Sequence, residues 1–298
     1  MSKRNSFASL HPAVLFAYFA AVIGCSMFFT HPLFQALSLL GAFSYSVLVK
    51  GRTGWVFNTL YMLPVLLLMA IWNPLFNHQG VTILFYLDSG NPVTLESVLY
   101  GASAAVMFVT VILWFSCVNA VMTSDKIIYL FGRVLPAFSL LFSMVLRFVP
   151  RYADKAREIS LAQKGIGRDV SQGSWLQRAK NGMRILSILT TWALENAIET
   201  ADSMKSRGYG LPGRTSFSLF RLDRRDAAML GGMAILMAIV LTGAALGMNA
   251  MRFFPSIRTA EPSVFRTAAL VAYLLFCLLP VILTIQEERR WKRIESSI

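Results

Sequence analysis

Long apolar runs separated by short polar segments dominate the pattern of this 298-residue chain. Six of the runs are close to the ~20 residues that an α-helix needs to cross the hydrocarbon core of a bilayer. They are residues 12–29, 33–49, 55–72, 98–122, 227–247 and 265–285. The pattern therefore predicts an all-α polytopic membrane protein with about six transmembrane helices.

A seventh apolar stretch, residues 127–149, fits two interpretations. It carries Arg133 and Arg147 near its two ends and Pro136 inside. Proline interrupts the hydrogen bonding of a helix, and apolar periodicity alone does not separate a membrane span from a helix buried against other helices. The sequence leaves both possibilities open.

The distribution of basic residues predicts the topology, because Lys and Arg are enriched in cytoplasmic loops. Residues 73–97 contain no Lys or Arg and are predicted to lie outside. Both termini and everything between the fourth and fifth spans are predicted to be cytoplasmic. The basic residues that flank the runs on that side are Lys3, Arg4, Lys50, Arg52 and Lys126, with a basic C-terminal "QEERRWKRIESSI". Arg252 and Arg258 are the exception, since alternation of the spans places them outside.

A basic segment divides the chain into three parts. Residues 147–225 hold fifteen of the 28 Lys and Arg residues and seven Asp or Glu residues. The segment also contains stretches with helical amphipathic spacing. We therefore predict N-terminal transmembrane helices in residues 1–123, a cytoplasmic helical module in residues 124–225, and C-terminal transmembrane helices with a basic tail in residues 226–298.

The stretch "MKSRGYGLPGR" marks a sharp basic corner in this module. From Leu194 onward, apolar and acidic residues alternate at helical spacing. Gly208 is predicted to end the helix, because glycine adopts a left-handed cap conformation at little cost, and Pro212 prevents the helix from resuming. Arg207 would then stand at the tip of a helix. The alternative is a solvated basic loop beside the membrane.

Composition and missing motifs exclude several classes of function. Charged residues make up 14% of the chain, against roughly 25% in soluble domains. The net charge of +13 lies beside the spans, so nucleic acid is not an expected partner, whereas membrane lipid is. The sequence has no P-loop and no H-E-x-x-H or C-x-x-C motif. No catalytic, cofactor-binding or metal-binding residue is expected, and an intramembrane enzyme or ion-coupled carrier is disfavoured because the spans hold almost no ionisable residues.

Three stretches together resemble the transmembrane T component of energy-coupling-factor (ECF) transporters. They are "WNPLFNHQGVTILFYLDSGNPVTLESVLYG", "LPAFSLLFSMVLRFVPRYADKAREISLAQKGIGRD" and "MKSRGYG". The resemblance runs from about residue 12 to residue 226. It implies a scaffold subunit of an ATP-driven importer of vitamins or transition-metal ions, with two cytoplasmic ABC ATPases and a substrate-binding membrane S component as partners. It also implies a multi-pass protein of a bacterial or archaeal cell membrane.

The resemblance further implies two docking motifs for the ATPases, at the ends of coupling helices in residues 124–225. Ser206, Arg207 and Gly208 match the second motif. The first is degenerate: family members often read A-Q-x-A-R-G, where this chain has Ala162, Gln163, Lys164, Gly165, Ile166 and Gly167. Ile166 stands where arginine is usual, so the contact is either apolar or supplied by Arg168. We expect Arg168, because the flanking glycines leave the backbone free to re-aim it.

The T component does not itself select the substrate, so the resemblance does not identify what is transported or how many S components the chain serves. An alternative is the permease of a conventional ABC importer, which works with a soluble binding protein. In either case ATP hydrolysis is expected on separate subunits, and the chain is not expected to be an enzyme.

Overall fold

Helices account for most of the chain in the computed structural model, which describes residues 7–86, 91–132, 135–212, 220–259 and 263–295. Lys3, Arg4 and Arg133, which entered the topology predictions, lie outside the described residues. The helices are α1 (Pro12–Phe28), α2 (Pro32–Lys50), α3 (Arg52–Phe76, with one wider π turn at Phe57–Tyr61), α4 (Leu95–Val121), α5 (Ser124–Gly132), α6 (Pro136–Gly165), α7 (Trp175–Ser206), α8 (Arg224–Ala245) and α9 (Val264–Glu295). The predicted all-α polytopic class is confirmed.

Five of the described helices are long and apolar enough to cross a membrane: α2, α3, α4, α8 and α9. They correspond to the second to sixth predicted runs. The first run forms α1, which is apolar but has only 17 residues. The ambiguous seventh stretch is divided between α5 and α6, and neither helix has the length and apolarity of a span.

Two short β-hairpins interrupt the helices, and the sequence patterns did not predict them. Strand β1 (Ile83–Tyr86) pairs antiparallel with β2 (Pro92–Thr94), just before α4 begins. Strand β3 (Met251–Arg252) pairs with β4 (Arg258–Thr259) between α8 and α9. The strands are only two to four residues long, which is too short for an alternating pattern to reveal them.

The chain forms two compact units. One consists of Met1–Ile127 together with Phe220–Ile298 and contains all five candidate spans. The other is Ile128–Leu219 and contains α6 and α7. Its bounds lie within residues 124–225, which the distribution of basic residues set apart in the sequence.

Aromatic side chains fill the core of the first unit. Tyr18 of α1 packs against Phe276 of α9 and Trp114 of α4, with ring centroids 5.1 and 6.0 Å apart. Below them, the indole N–H of Trp114 donates to the Ser38 hydroxyl at 3.0 Å, and that hydroxyl lies 2.6 Å from the Ser26 hydroxyl. Because an unpaired polar group costs several kcal/mol in hydrocarbon, this closed chain of hydrogen bonds lets polar residues occupy a transmembrane core.

Polar contacts in the first unit gather several helix ends on one side of the spans. The Lys126 ammonium donates to the carbonyls of Val121, at the end of α4, and of Ala8, just before α1. The His11 backbone N–H at the start of α1 donates to Asp226 at the start of α8. These contacts place the start of α1, the end of α4 and the start of α8 together, as alternation of the spans requires.

Candidate functional site

Helices α6 and α7 contact each other through a cluster around Trp192. The Trp192 ring packs edge-on against Tyr152, with centroids 5.5 Å apart. Arg151 and Lys155 also lie over the Trp192 ring, at 5.6 and 5.7 Å. Cations over an aromatic face are attracted by its quadrupole. This cluster fixes α6 against α7 and leaves the C-terminal end of each helix to extend beyond it.

The C-terminal end of α7 carries the predicted docking motif. The helix ends at Ser206, Arg207 follows as the cap residue, and Gly208 takes a positive φ of 78°. The Gly208 N–H donates to the Lys205 carbonyl and the Tyr209 N–H donates to the Met204 carbonyl, both at 3.0 Å. These two bonds form a Schellman motif, which satisfies carbonyls that the helix leaves open. The prediction that Gly208 ends this helix is confirmed.

The end of α6 has the same cap geometry. The helix ends at Gly165, Ile166 is the cap residue, and Gly167 has a φ of 77°. The Gly167 N–H donates to the Lys164 carbonyl at 3.0 Å and the Arg168 N–H donates to the Gln163 carbonyl at 2.9 Å. Ile166 therefore occupies the backbone position of Arg207, and Arg168 occupies that of Tyr209.

Asp169 anchors the loop that follows the cap of α6. Its carboxylate accepts the Ser171 backbone N–H at 3.0 Å and lies 3.3 Å from the Lys164 ammonium. The hydrogen bonds from Ser171 hold the pKa of the Asp169 carboxyl below its usual value, and Lys164 adds to the effect. The Asp169 carbonyl also accepts from the Asn181 side chain at 3.0 Å. The loop is thus tied to both helices, which fixes the direction of the chain after Ile166.

Each capped end lies well beyond the Trp192 cluster along its own helix. Gly165 lies thirteen positions after Tyr152, and Ser206 lies fourteen positions after Trp192. At ~1.5 Å per residue, each end projects roughly 20 Å along its own helix. Ile166, Arg168 and Arg207 are all exposed, and within the described part of the chain neither arginine makes an ion pair. The structure does not bring the two motifs together into one pocket.

The apolar face predicted from Leu194 onward is present but uncovered. Leu194 is 64% exposed and Ile198 is 66% exposed, whereas Asn196 between them is buried at 7%. Helix α6 has a similar exposed stripe at spacings of three and four residues, formed by Phe138, Leu141, Val145 and Val149. Contiguous exposed apolar side chains of this kind are typical of surfaces that bind a protein or a membrane. The sequence indicated the amphipathic helices, but only the structure shows that the described residues of their own unit leave these apolar side chains exposed.

Comparison with known proteins gives one consistent family name. The chain is 27% identical over 215 residues to the energy-coupling factor transporter transmembrane protein EcfT of Listeria innocua, which covers 68% of this chain and 81% of that protein. The EcfT of Streptococcus equi is 27% identical over 68% of this chain and 78% of its own length. The EcfT of Lactobacillus helveticus is 36% identical over 104 residues, which span 35% of this chain and 38% of that relative.

No family model matches the chain. The relatives that align over most of their own length nevertheless carry the name that the three sequence stretches predicted. The chain is therefore a multi-pass membrane protein whose resemblance to the transmembrane T component of energy-coupling-factor transporters is confirmed.

Proposed function

We propose that this chain is the scaffold of an energy-coupling-factor ABC importer, and that it transmits the motion of two cytoplasmic ATPases to a substrate-binding S component. The transported substrate would be a vitamin or a transition-metal ion. The observation that carries the proposal is the shared cap geometry at the ends of α6 and α7, which presents Ile166 and Arg207 at equivalent positions. Both termini would then be cytoplasmic.

Arg207 suits docking to an ATPase for physical reasons. Its guanidinium stays charged and can hold a carboxylate with two parallel hydrogen bonds even when partly desolvated. The Schellman motif fixes the backbone from which it extends, so little conformational entropy is lost when a partner binds. A rigid helix of 32 residues behind it can carry a displacement from its tip to the Trp192 cluster.

The exposed apolar stripes of α6 and α7 would hold the S component by hydrophobic packing. A membrane partner suits them because their side chains are aliphatic or aromatic and no basic or acidic residue interrupts the spacing at Phe138, Leu141 and Val145. In this arrangement one helix pair serves both partners, with its ends on the ATPases and its sides on the S component.

Co-purification tests the proposal directly. The tagged full-length chain is purified from native membranes in mild detergent, and its partners are identified by mass spectrometry. We expect two ABC ATPases and a small membrane protein that binds substrate, in a complex that hydrolyses ATP. A soluble binding protein in place of the small membrane protein would instead identify a conventional ABC permease. Substrate turnover by the chain alone would overturn both assignments.

A further inference from the structure

A basic cavity lies where α8 begins and α9 ends, outside the two docking ends and the apolar stripes. It has a volume of about 490 Å³. Leu283 forms an apolar part of its wall, and the rest is lined by Arg225, Gln286, Glu287, Arg289, Arg290 and Arg293. The names of the similar EcfT proteins give no function for this cavity.

Helical spacing explains why these side chains meet. Leu283, Gln286, Arg290 and Arg293 follow one another at intervals of three or four residues, so they lie along one face of α9. Arg225, in the first turn of α8, closes the cavity from the other side. It forms an ion pair with Glu287 at 3.4 Å, which ties the two helix ends together.

The cavity carries an excess of positive charge. Four arginines and one glutamate, Glu287, line it. Glu287 already pairs with Arg225, and within the described residues Arg289 and Arg290 have no carboxylate partner within 4.0 Å. Like charges held this close repel one another, so an anion would relieve the repulsion.

The amides at the start of α8 are not what would bind the anion. Asp223 and Asp226 form a capping box that satisfies two of the backbone donors there, and their carboxylates would repel an anion at this helix start. Asp226 also accepts the His11 backbone N–H at 3.3 Å, which turns its carboxylate into the protein, where it is buried. The side chains of Arg289 and Arg290 are therefore the groups available to a ligand.

The lengths of the apolar parts of α8 and α9 would place the cavity at the level of the lipid headgroups. Helix α9 has 32 residues, or roughly 48 Å, whereas the hydrocarbon core is only ~30 Å thick. The apolar part of α9 stops near Leu283, and the apolar part of α8 begins just after Arg225. The arginines of the cavity would thus lie just outside the hydrocarbon core. Leu283 in its wall would be continuous with the apolar surface of α8 and α9.

We propose that this cavity binds the headgroup of an anionic phospholipid. The arginines would hold the phosphate oxygens, and the acyl chains would lie along the apolar surface of α8 and α9. Arginine holds phosphate by paired hydrogen bonds, and basic pockets between transmembrane helices are suited to anionic headgroups. The apolar wall at Leu283 favours a lipid over a free phosphate ion, which gains nothing from apolar contact.

Lipid titration followed by native mass spectrometry tests the proposal on the full-length protein in detergent. Phosphatidylglycerol and phosphatidylcholine with identical acyl chains are compared. We expect wild-type protein to prefer phosphatidylglycerol, and R289Q/R290Q to weaken that binding roughly ten- to thirtyfold while leaving phosphatidylcholine binding unchanged. R289K/R290K keeps both charges and should retain most of the preference. If the lysine variant keeps the preference and the glutamine variant still binds phosphatidylcholine, the loss in the glutamine variant reflects lost charge and not misfolding.

R252Q/R258Q is the matched control, because it also removes two positive charges, from the β3–β4 hairpin at the opposite end of the same helices. It should keep the preference for phosphatidylglycerol. An equal loss in both variants would mean that only bulk charge matters, and would overturn the site. The absence of any preference in the wild type, or its persistence in R289Q/R290Q, would also overturn it. Displacement of phosphatidylglycerol by millimolar inorganic phosphate would show a phosphate site and refute the lipid assignment.

Discussion

Ile166 and Arg207 are the cap residues of α6 and α7, so they occupy equivalent backbone positions, but one side chain is apolar and the other is charged. If Ile166 contacts the first ATPase, that contact is apolar and gains about 1.5–3 kcal/mol at most from full burial. If Arg168 contacts it, the contact is ionic and weakens with salt. The cap places Arg168 two residues beyond Ile166 and anchors the following loop through Asp169. The backbone at Arg168 is therefore held by the cap and by the loop after it, and is not free in the way that the flanking glycines suggested.

Single substitutions separate these two cases. We expect Arg168→Ala to weaken assembly with the ATPases and to reduce the salt dependence of that assembly, because Arg168 supplies the missing charge. Ile166→Ala should have the smaller effect. Binding measured at low and high salt checks both variants. The opposite result is full assembly of the Arg168→Ala protein and loss of assembly in the Ile166→Ala protein. It would identify an apolar contact with the ATPase at Ile166.

Asp169 gives a prediction that depends on pH. Its folded-state pKa is lowered by the hydrogen bonds from Ser171, so its contribution to stability is present above its unfolded pKa of ~3.9 and is lost as pH falls through the folded value. Asp169→Asn should speed amide exchange at Ser171 at neutral pH. The difference between the two proteins should vanish in acid below that range. A difference that persists unchanged at the lowest pH would refute this role for the carboxylate.

At the scale of the element, the cap of α6 depends on one glycine and not on its neighbour. Gly167 has a positive φ, which costs a residue with a side chain roughly 1–2 kcal/mol, whereas Gly165 lies within the helix and has open space around it. Gly167→Ala should therefore speed amide exchange at Arg168 about five- to thirtyfold.

Gly165→Ala is the matched control for that measurement. It should slow exchange at the end of α6, because alanine favours a helix over glycine by roughly 0.5–1 kcal/mol. Since nothing in the described chain approaches Gly165, any loss of ATPase binding in this variant would come from a partner that packs against the bare backbone. Equal exchange in the two variants would contradict the cap geometry.

Helix ends were more predictable than helix surroundings. Gly208 and Pro212 marked the end of α7 because their backbone preferences are local properties of the sequence. The matching cap at Ile166 could have been found from Gly167 in the same way. The exposure of the apolar faces at Leu194 and Phe138 could not be predicted from the sequence. Amphipathic spacing shows which face of a helix is apolar, but it does not show what covers that face. The cluster around Trp192 depends on contacts between residues forty positions apart, which no local pattern records.

At the scale of the whole molecule, five of the six predicted spans agree with long apolar helices, because hydrophobic length is the strongest signal in a membrane sequence. The β1–β2 hairpin was missed because its strands are short and Ile83–Tyr86 is uniformly apolar, so no alternating pattern marks it. The basic cavity was missed for a different reason. Its residues come from two helix ends about sixty positions apart in the chain.

Topology is testable by labelling with a membrane-impermeant maleimide in intact cells. Cys25, Cys117 and Cys277 are all buried, so we expect them not to react, and the native background suffices. Gln79→Cys should react in intact cells, because residues 73–97 are predicted to lie outside. Asp154→Cys, which is equally exposed, should react only after permeabilisation. The reverse pattern would invert the orientation.

The proposed function depends most directly on Arg207 binding an ATPase. The most direct measurement is the affinity of purified Arg207→Ala protein for the ATPases that co-purify with the wild type, with Lys205→Ala as a control that removes a charge from the same helix end. Loss of a charged interface contact typically costs about 2–5 kcal/mol. We predict at least a roughly thirtyfold weaker affinity for Arg207→Ala and less than about a threefold change for Lys205→Ala. Unchanged affinity of the Arg207→Ala protein, or an equal loss of affinity in both variants, would contradict a docking role for Arg207.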